Sequence, residues 1–316
     1  MILTATLNPC IDKTITIEHL SPSGTNRVLE SRSDVSGKGI NVSMALQNLG
    51  VETQCLGFNY TADRALIPQF LTGHHIAHLL VDVGGQLRTN IKIFERDGYT
   101  MTEYNEGGSP VNTEAVAAFT AQLRFRLSQL RPNELLVLDG SVPPGVPPDF
   151  YRQMILLAKR FHIRTVLDAA GPLLREGLKA APYAIKPNLA ELEDVVGRPL
   201  KTIPEICAAA KEIVVGGTAY VCVSMGGEGA LLVSQNGCWY APAMTGLAVK
   251  GLQGAGDSLV AGMCMGILQN APDTDILRYA VAAASGSVCH EGTLLCTRQD
   301  FEALLPRVII RPVVSE

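Results

Sequence analysis

The chain has 316 residues, 26 basic against 30 acidic for a formal net charge of −4, and 47% hydrophobic residues. That length holds either two domains of ~150 residues or one large α/β domain with an embellishment, and in both cases a substantial core. A pI near 5.9 lacks the positive field that nucleic acid or an anionic membrane selects, so neither is an expected partner.

Mean hydropathy is positive, +0.19, yet the longest apolar stretches, such as residues 259–268, are broken by glycine and fall short of the ~20 residues a membrane span needs. The hydrophobicity is therefore assigned to a buried sheet. Residues 1–7 are apolar with no basic residue ahead of them and no small-residue cleavage site behind, and so read as a first strand rather than an export signal. Eight cysteines form no C-x-x-C pair, which argues for reduced thiols in a cytoplasmic protein and against zinc or a disulfide framework. Thirty glycines and 18 prolines exceed the usual ~12% share, so their positions matter.

Along the chain, the first strand (2–7) is followed by β-rich pieces at 15–17 and 27–33. Ile40, Val42, Ala45, Leu46 and Leu49 then form one helical face that stops at Gly50. His74, His75 and His78 resemble a ligand cluster but lack further ligands, and read as a helix-to-strand connection over Gly73. Residues 88–95 are again β-rich, and Asp97-Gly98 turns the chain back into 99–104 as a hairpin. Val116, Phe119, Leu123, Leu127 and Leu130 form a second helical face, and Phe150, Met154, Leu157 and Phe161 a third. Short apolar strands at 135–138, 165–167, 183–185, 220–223 and 230–233 alternate with them. Strands alternating with helices imply βαβ units: one α/β domain over residues 1–316 with a mostly parallel central sheet covered on both faces. The helix-free pieces, roughly 12–36 and 86–108, are expected to form a small β-sheet lid over it.

Gly251-Leu252-Gln253-Gly254-Ala255-Gly256-Asp257 leads into a helical run over 258–268. A small-residue turn entering a helix presents unpaired backbone N–H groups at the positive end of the helix dipole, which is an anion site. Asp257 at its mouth either accepts the proton of a hydroxyl nucleophile during phosphoryl transfer or caps the helix. No G-x-x-x-x-G-K-[ST] or complete G-x-G-x-x-G is present, which disfavours a P-loop enzyme and a dinucleotide-dependent dehydrogenase. Neither is there a G-x-S-x-G elbow for a hydrolase.

Other strand ends carry polar and glycine-rich residues: Asn8-Pro9 and Asp12, Asp139-Gly140-Ser141, Asp168, Lys186-Pro187-Asn188, and Ser224-Met225-Gly226-Gly227. The carboxyl ends of parallel strands open on one crevice, so these describe one site. Asn188 and Glu191, spaced i, i+3, suit either a hydrated Mg²⁺ near phosphates or a capping box, and the two are compatible. Arg27, Lys38 and Arg88 lie on or beside the lid, where they either grip a substrate phosphate or solvate a surface.

Gly37-Lys38-Gly39-Ile40-Asn41-Val42 and Gly254-Ala255-Gly256-Asp257-Ser258 resemble the N- and C-terminal signatures of the PfkB (ribokinase-like) carbohydrate kinases. Lys186-Pro187-Asn188 with Glu191, and the Ser224 to Gly227 loop, fit the pattern between them. Thr6 to Pro9 with Asp12, Asn26-Arg27, Arg88-Thr89-Asn90 and Gly140-Ser141 are similar to the ketohexose-phosphate branch. Lys38 sets the chain apart from the 6-phosphofructokinases of that branch, and the Arg88 to Ile93 stretch with Tyr104-Asn105 is closer to its 1-phosphofructokinases than to its tagatose-6-phosphate kinases.

The resemblance implies an ATP- and Mg²⁺-dependent kinase acting on the free hydroxymethyl of a ketohexose monophosphate, foremost fructose 1-phosphate. Alternatives within the branch are tagatose-6-phosphate kinase or 6-phosphofructokinase activity, and more remotely an inactive sugar-phosphate-binding regulator. It makes Asp257 the general base, with Gly254, Ala255 and Gly256 lining the anion hole. Asp12, Gly37 and Asn41 would hold sugar hydroxyls, and Arg27, Lys38, Arg88 and Ser141 the phosphate already present. Lys186, Asn188, Ser224, Gly226 and Gly227 would serve ATP and Glu191 the Mg²⁺ shell, and the lids would pair into a homodimer that covers their open edges. The chain departs from the family at Leu252-Gln253, where Thr or Ser precedes the anion-hole glycine, so a monovalent-cation requirement does not follow. Ser36 stands before Gly37 where glycine or alanine is more usual. Asp139 and Ala169-Ala170 stand where Ser is common, which bears on substrate preference.

Overall fold

The computed structural model describes residues 1–98, 100–292 and 294–313. Its first strand, β1 (Ile2–Thr6), is buried along its whole length, as an apolar strand covered on both faces must be. The chain then builds β2 (Cys10–Ile17), β3 (Glu30–Ser36), α1 (Lys38–Asn48), β4 (Thr53–Tyr60), α2 (Leu66–Gly73), β5 (Ala77–Val83), β6 (Arg88–Glu95) and β7 (Thr100–Tyr104). Four strand–helix steps follow: α3 (Thr113–Leu127), β8 (Leu135–Asp139), α4 (Phe150–Lys159), β9 (Arg164–Asp168), α5 (Gly171–Leu178), β10 (Ala184–Ile185), α6 (Leu189–Val196), α7 (Ile203–Val215) and β11 (Tyr220–Ser224). The last part comprises β12 (Ala230–Val233), β13 (Cys238–Ala241), α8 (Ala255–Leu268), α9 (Asp273–Ser287), α10 (Arg298–Leu304) and β14 (Arg311–Pro312).

Ten strands form one sheet in the order β14-β13-β12-β11-β10-β9-β8-β1-β4-β5, and β3-β2-β6-β7 form a second, smaller one. The large sheet is parallel from β5 through β11 and antiparallel from β11 to β14. This is the expected mostly parallel α/β architecture with a small separate sheet. Phe119 of α3 packs between Phe58 of β4 and Phe150 of α4, with ring centroids 5.7 and 6.0 Å apart. Such tilted pairs add ~0.5–1.5 kcal/mol each beyond burial. They fix two helices on one face of the sheet, while α1, α8 and α9 cover the other. Helix α1 runs so close over β1 that a Cβ on Gly39 would stand 2.5 Å from Thr6 Oγ1 and 2.7 Å from the Ala5 carbonyl oxygen. That approach brings the first turn of α1 onto the carboxyl end of β1.

The small sheet unites residues distant in the chain: β2 pairs in parallel with β6, Asp12 opposite Asn90, while β3 and β7 flank them antiparallel. One expectation is corrected. The strand expected at 27–33 begins only at Glu30, because Asn26 exchanges hydrogen bonds with the Ser21 backbone at 2.7 and 3.0 Å and holds 21–26 as a loop. In the expected 99–104 return strand, Tyr99 lies outside the described residues, and Thr100–Tyr104 is the observed strand. His74 and His75 lie in the connection between α2 and β5, with His75 at φ 57°, and His78 lies in β5. All eight cysteines are free thiols. Among the described residues, no helix is long and apolar enough to cross a membrane.

Candidate active site

The carboxyl ends of β1, β8, β9 and β10, the start of α8 and the inner face of the small sheet enclose a cleft of about 1050 Å³. It brings together Asp12, Gly37, Lys38, Asn41, Arg88, Ser141, Lys186, Asn188, Glu191, Gly254, Gly256 and Asp257. Seven of the ten buried side-chain oxygen and nitrogen atoms that lack a partner among the described residues belong to its lining: one each on Thr6, Asn8, Asn41, Asp168 and Gln253, and both carboxyl oxygens of Asp139. Buried polar atoms are ordinarily satisfied, so this concentration marks a surface built to meet a polar ligand.

Gly254 adopts φ +70° and starts α8, which places Asp257 in the first helical turn. Asp257 makes no capping bond; its Oδ2 instead accepts a hydrogen bond from Asn41 Nδ2 at 2.7 Å. The Gly256 and Asp257 N–H groups belong to the first turn, where no intrahelical acceptor exists. Burial raises the Asp257 carboxyl above its ordinary value, opposed by the Lys38 ammonium and the Asn41 bond and reinforced by the Asp168 charge. A buried carboxylate with one donor, beside free N–H groups at a helix start, can remove a proton from a hydroxyl while those groups stabilise transferring negative charge.

On the small-sheet side, Asp12 accepts from Lys92 Nζ and Asn90 Nδ2, both at 3.0 Å. Burial acts to raise the Asp12 carboxyl, but the Lys92 charge and the bonds from Lys92, Asn90 and Ser36 outweigh it and hold it below the ordinary value. Asp12 is thus a fixed anion suited to accept hydrogen bonds from hydroxyls. Arg88 is not a free solvating charge: its guanidinium donates to the Asn8 and Glu106 carbonyls at 3.1 and 3.0 Å and to Asn90 Oδ1 at 3.3 Å, which aims a cation into the cleft. Ser141 Oγ accepts from Asn8 Nδ2 at 3.1 Å.

Lys38 Nζ and Lys186 Nζ both approach Asp168 Oδ2, at 3.2 and 3.3 Å. Burial would raise the Asp168 carboxyl; the Lys186 and Lys38 ammoniums overcome this and lower it. Burial likewise acts against the Lys38 ammonium, and the acidic groups around it, Asp168 foremost, more than restore it. With Asp168 taken up by two ammoniums, the carboxyl cluster of Asp139, Asp168 and Asp257 is a charge-balancing group rather than a cation cage. Hard oxygen donors suited to Mg²⁺ sit elsewhere. Asn188 and Glu191 form a full capping box at the start of α6, each backbone N–H donating to the other's side chain at 2.8 Å. Both line the cleft, and Glu191 Oε1 stands outside that bond, so the residues fit a hydrated cation as well as a cap.

Arg27 does not join this group: it is exposed in the loop before β3 and absent from the cleft lining. Ser224 is tied to Asn188 by an isolated parallel bridge, and Gly226 and Gly227 form an exposed turn beyond it, with open space where a Cβ would stand. These three make a ledge beside the cleft. Ala255 opens α8 between the two lining glycines. Sequence reasoning missed Asn90 and Lys92 as site residues. The signal was present, since Arg88, Asn90 and Lys92 alternate at i, i+2, i+4 and so share one face of a strand.

Residues 5–300 match the model of the pfkB family carbohydrate kinases. The 1-phosphofructokinase of Bacillus subtilis is 33% identical over 308 residues, 98% of both chains. That of Xanthomonas campestris is 34% identical over 294 residues, 91% of this chain and 90% of its own. Among solved structures, Escherichia coli phosphofructokinase-2 in complex with substrates and products superposes with a TM-score of 0.90 at 27% identity, covering 97% of this chain and 99% of that one. The tetrameric inhibited form of the same enzyme gives 0.87 at 27% identity, covering 97% and 98%.

Proposed function

The chain belongs to the pfkB family of carbohydrate kinases, and from that premise we propose that it transfers the γ-phosphoryl group of ATP to the free hydroxymethyl of fructose 1-phosphate, giving fructose 1,6-bisphosphate. Full-length relatives named 1-phosphofructokinase at 33–34% identity support the choice of substrate. The observation that carries the reaction is the single cleft holding a buried carboxylate at a helix-start anion site, Asp257, with the Lys38 ammonium nearby, and a fixed cation, Arg88, on its small-sheet side.

In this reading Asp12, Asn41 and the backbone at Gly37 hold the sugar hydroxyls, while Arg88, Lys38 and Ser141 hold its phosphate. Asp257 accepts the hydroxymethyl proton as the oxygen attacks, and the N–H groups of Gly254 to Asp257 meet the charge on the transferring group. Lys186 pairs with nucleotide phosphate, and the Asn188 and Ser224 to Gly227 ledge takes the rest of the nucleotide. Glu191, with Asn188, would hold a hydrated Mg²⁺, which neutralises phosphate charge when bound. The eight free thiols, nearly all of them buried, support a cytoplasmic enzyme.

The open edges of the small sheet, β3 and β7, carry exposed Val28 and Leu29 beside one and Met101 and Tyr104 on the other. Such edges call for a partner, which supports pairing of two copies through their lids. Arg27 would lie at that interface, consistent with its place outside the cleft of its own chain.

The deciding experiment measures kcat/KM on fructose 1-phosphate, fructose 6-phosphate and tagatose 6-phosphate in one ADP-coupled assay. Fructose 1-phosphate is expected to lead by at least about tenfold, roughly 1.4 kcal/mol of differential transition-state binding. A lead for tagatose 6-phosphate would move the assignment within the branch, and no ADP with any of the three would leave a binding protein.

A further inference from the structure

The cleft floor carries two acids that the reaction just described does not use, Asp139 and Asp168. Asp139 ends β8 level with Asp168 at the end of β9, and Thr6 of β1 stands level with it on the other side. Parallel register sets the two carboxyls side by side, and one oxygen of each, with one of Asp257, lie within 4.8 Å of one another. The two ammoniums that answer this charge both engage Asp168. Asp139 is left with Lys38 Nζ at 4.0 Å, its side chain wholly buried. Neither Asp139 carboxyl oxygen has a hydrogen-bond partner, and Asp168 Oδ1 has none either.

Like charges directly opposite on neighbouring strands are unfavourable, and an unpaired buried carboxylate is more so. Two carboxyls forced together resolve this by sharing one proton. The lysines decide which keeps its charge: Asp168 does, and Asp139 carries the proton. We propose that Asp139 is a positioning residue, a buried acid that keeps its proton beside ionised Asp168, which keeps Lys38 available to the sugar phosphate and leaves Asp257 as the ionised carboxylate at the start of α8, with no direct ammonium contact among the described residues. This rests on the roles given above to Lys38 and Asp257.

The groups that face Asp139 agree with this. Lys38 comes from α1, Asp168 from β9, Lys186 from the end of β10, and Asp257 and Cys264 from α8; Tyr151 of α4 donates to its backbone carbonyl at 3.1 Å. Burial and then the Asp168 charge hold the Asp139 carboxyl well above its ordinary value. Ionisation of Asp139 would add a second carboxylate to Lys38 and a further negative charge under an anionic substrate. Binding of the sugar phosphate would weaken, with the chemistry at Asp257 little changed.

The test follows KM for fructose 1-phosphate and kcat from about pH 6 to pH 10 in the parent, Asp139→Asn and Asp139→Ser. Parent KM is expected to rise above the Asp139 titration by up to about tenfold per pH unit, with kcat changing far less. D139N, which stays neutral, keeps KM flat over the same range. Thermal melts give a second readout. A carboxyl raised on folding binds more protons in the native state, so the parent loses stability as pH rises from about 4 toward the folded value. The Tm of D139N minus that of the parent is therefore expected to grow from acid to neutral pH. A parent KM flat to about pH 10, a parallel rise in D139N, or a Tm difference that does not change with pH overturns the proposal. D139S carries the same readouts if D139N does not fold. Near-parental turnover in D257N would instead sink the reading of Asp257 without altering these profiles.

Discussion

The Asp12–Lys92 pair gives a perturbation whose size follows from its burial. Lys92 Nζ lies 3.0 Å from Asp12 Oδ2, with the two side chains only 10% and 8% exposed. Substituting Lys92→Met keeps the stem and removes the ammonium, leaving a buried carboxylate with the neutral neighbours Asn90, Ser36 and Cys10 donating to it. Breaking a buried pair in this way costs ~3–5 kcal/mol, and the surviving Asn90 bond puts the expectation near ~3. At ~2 °C per kcal/mol for a chain of this size, Tm should fall by about 6 °C at neutral pH.

The pH dependence has a definite sign. In the parent, Asp12 lies below its unfolded pKa, so its contribution is present above that value and is lost as pH falls through the folded one. In K92M burial is no longer outweighed and Asp12 rises above its unfolded value. Its contribution is then unfavourable near neutrality and fades toward about pH 4. The K92M deficit should therefore shrink on acidification. The double variant D12N/K92M, with no buried ion, should recover part of the loss. Thermal melts of parent, both single variants and the double variant over that pH range read all of this. A double variant as unstable as the sum of the singles, or a K92M deficit independent of pH, would refute the reasoning.

Removing the Asn41 amide in Asn41→Ala deletes a charge-assisted bond worth ~1.5–3 kcal/mol to the Asp257 anion. The acid limb of kcat should move up by about 1–2 pH units and recover at high pH, and an unshifted limb would count against Asp257 as the titrating base. Pairing through the small sheets predicts a dimer or larger assembly by light scattering at micromolar concentration, dispersed by charges placed at Val28 and Tyr104. A parent that stays monomeric contradicts it.

Much of the α/β frame could be read from the residues. The apolar faces over 40–49 and 116–130 and the run 230–233 correspond to α1, α3 and β12. Strands β4 and β5 were missed because 53–60 and 77–83 mix polar residues and a glycine into short segments whose burial is set by neighbours, not by local pattern. The site was traceable wherever a motif marks a strand end or helix start, as at Asp257, Lys38 and Asn188. It was opaque where function depends on pairing across 70 or more residues, as for Lys92 beside Asp12. Arg27 shows the converse: its sequence neighbourhood resembles a phosphate-binding piece, yet the Ser21–Asn26 turn leaves it exposed and outside the cleft.

The central claim is that the Asp257 carboxylate removes the hydroxymethyl proton. Its most direct measurement is kcat and substrate affinity for Asp257→Asn, an isosteric change that keeps the Asn41 neighbour. Turnover on fructose 1-phosphate should fall by ~10²-fold or more with binding of sugar phosphate and ATP preserved. Near-parental kcat in that variant would contradict the account.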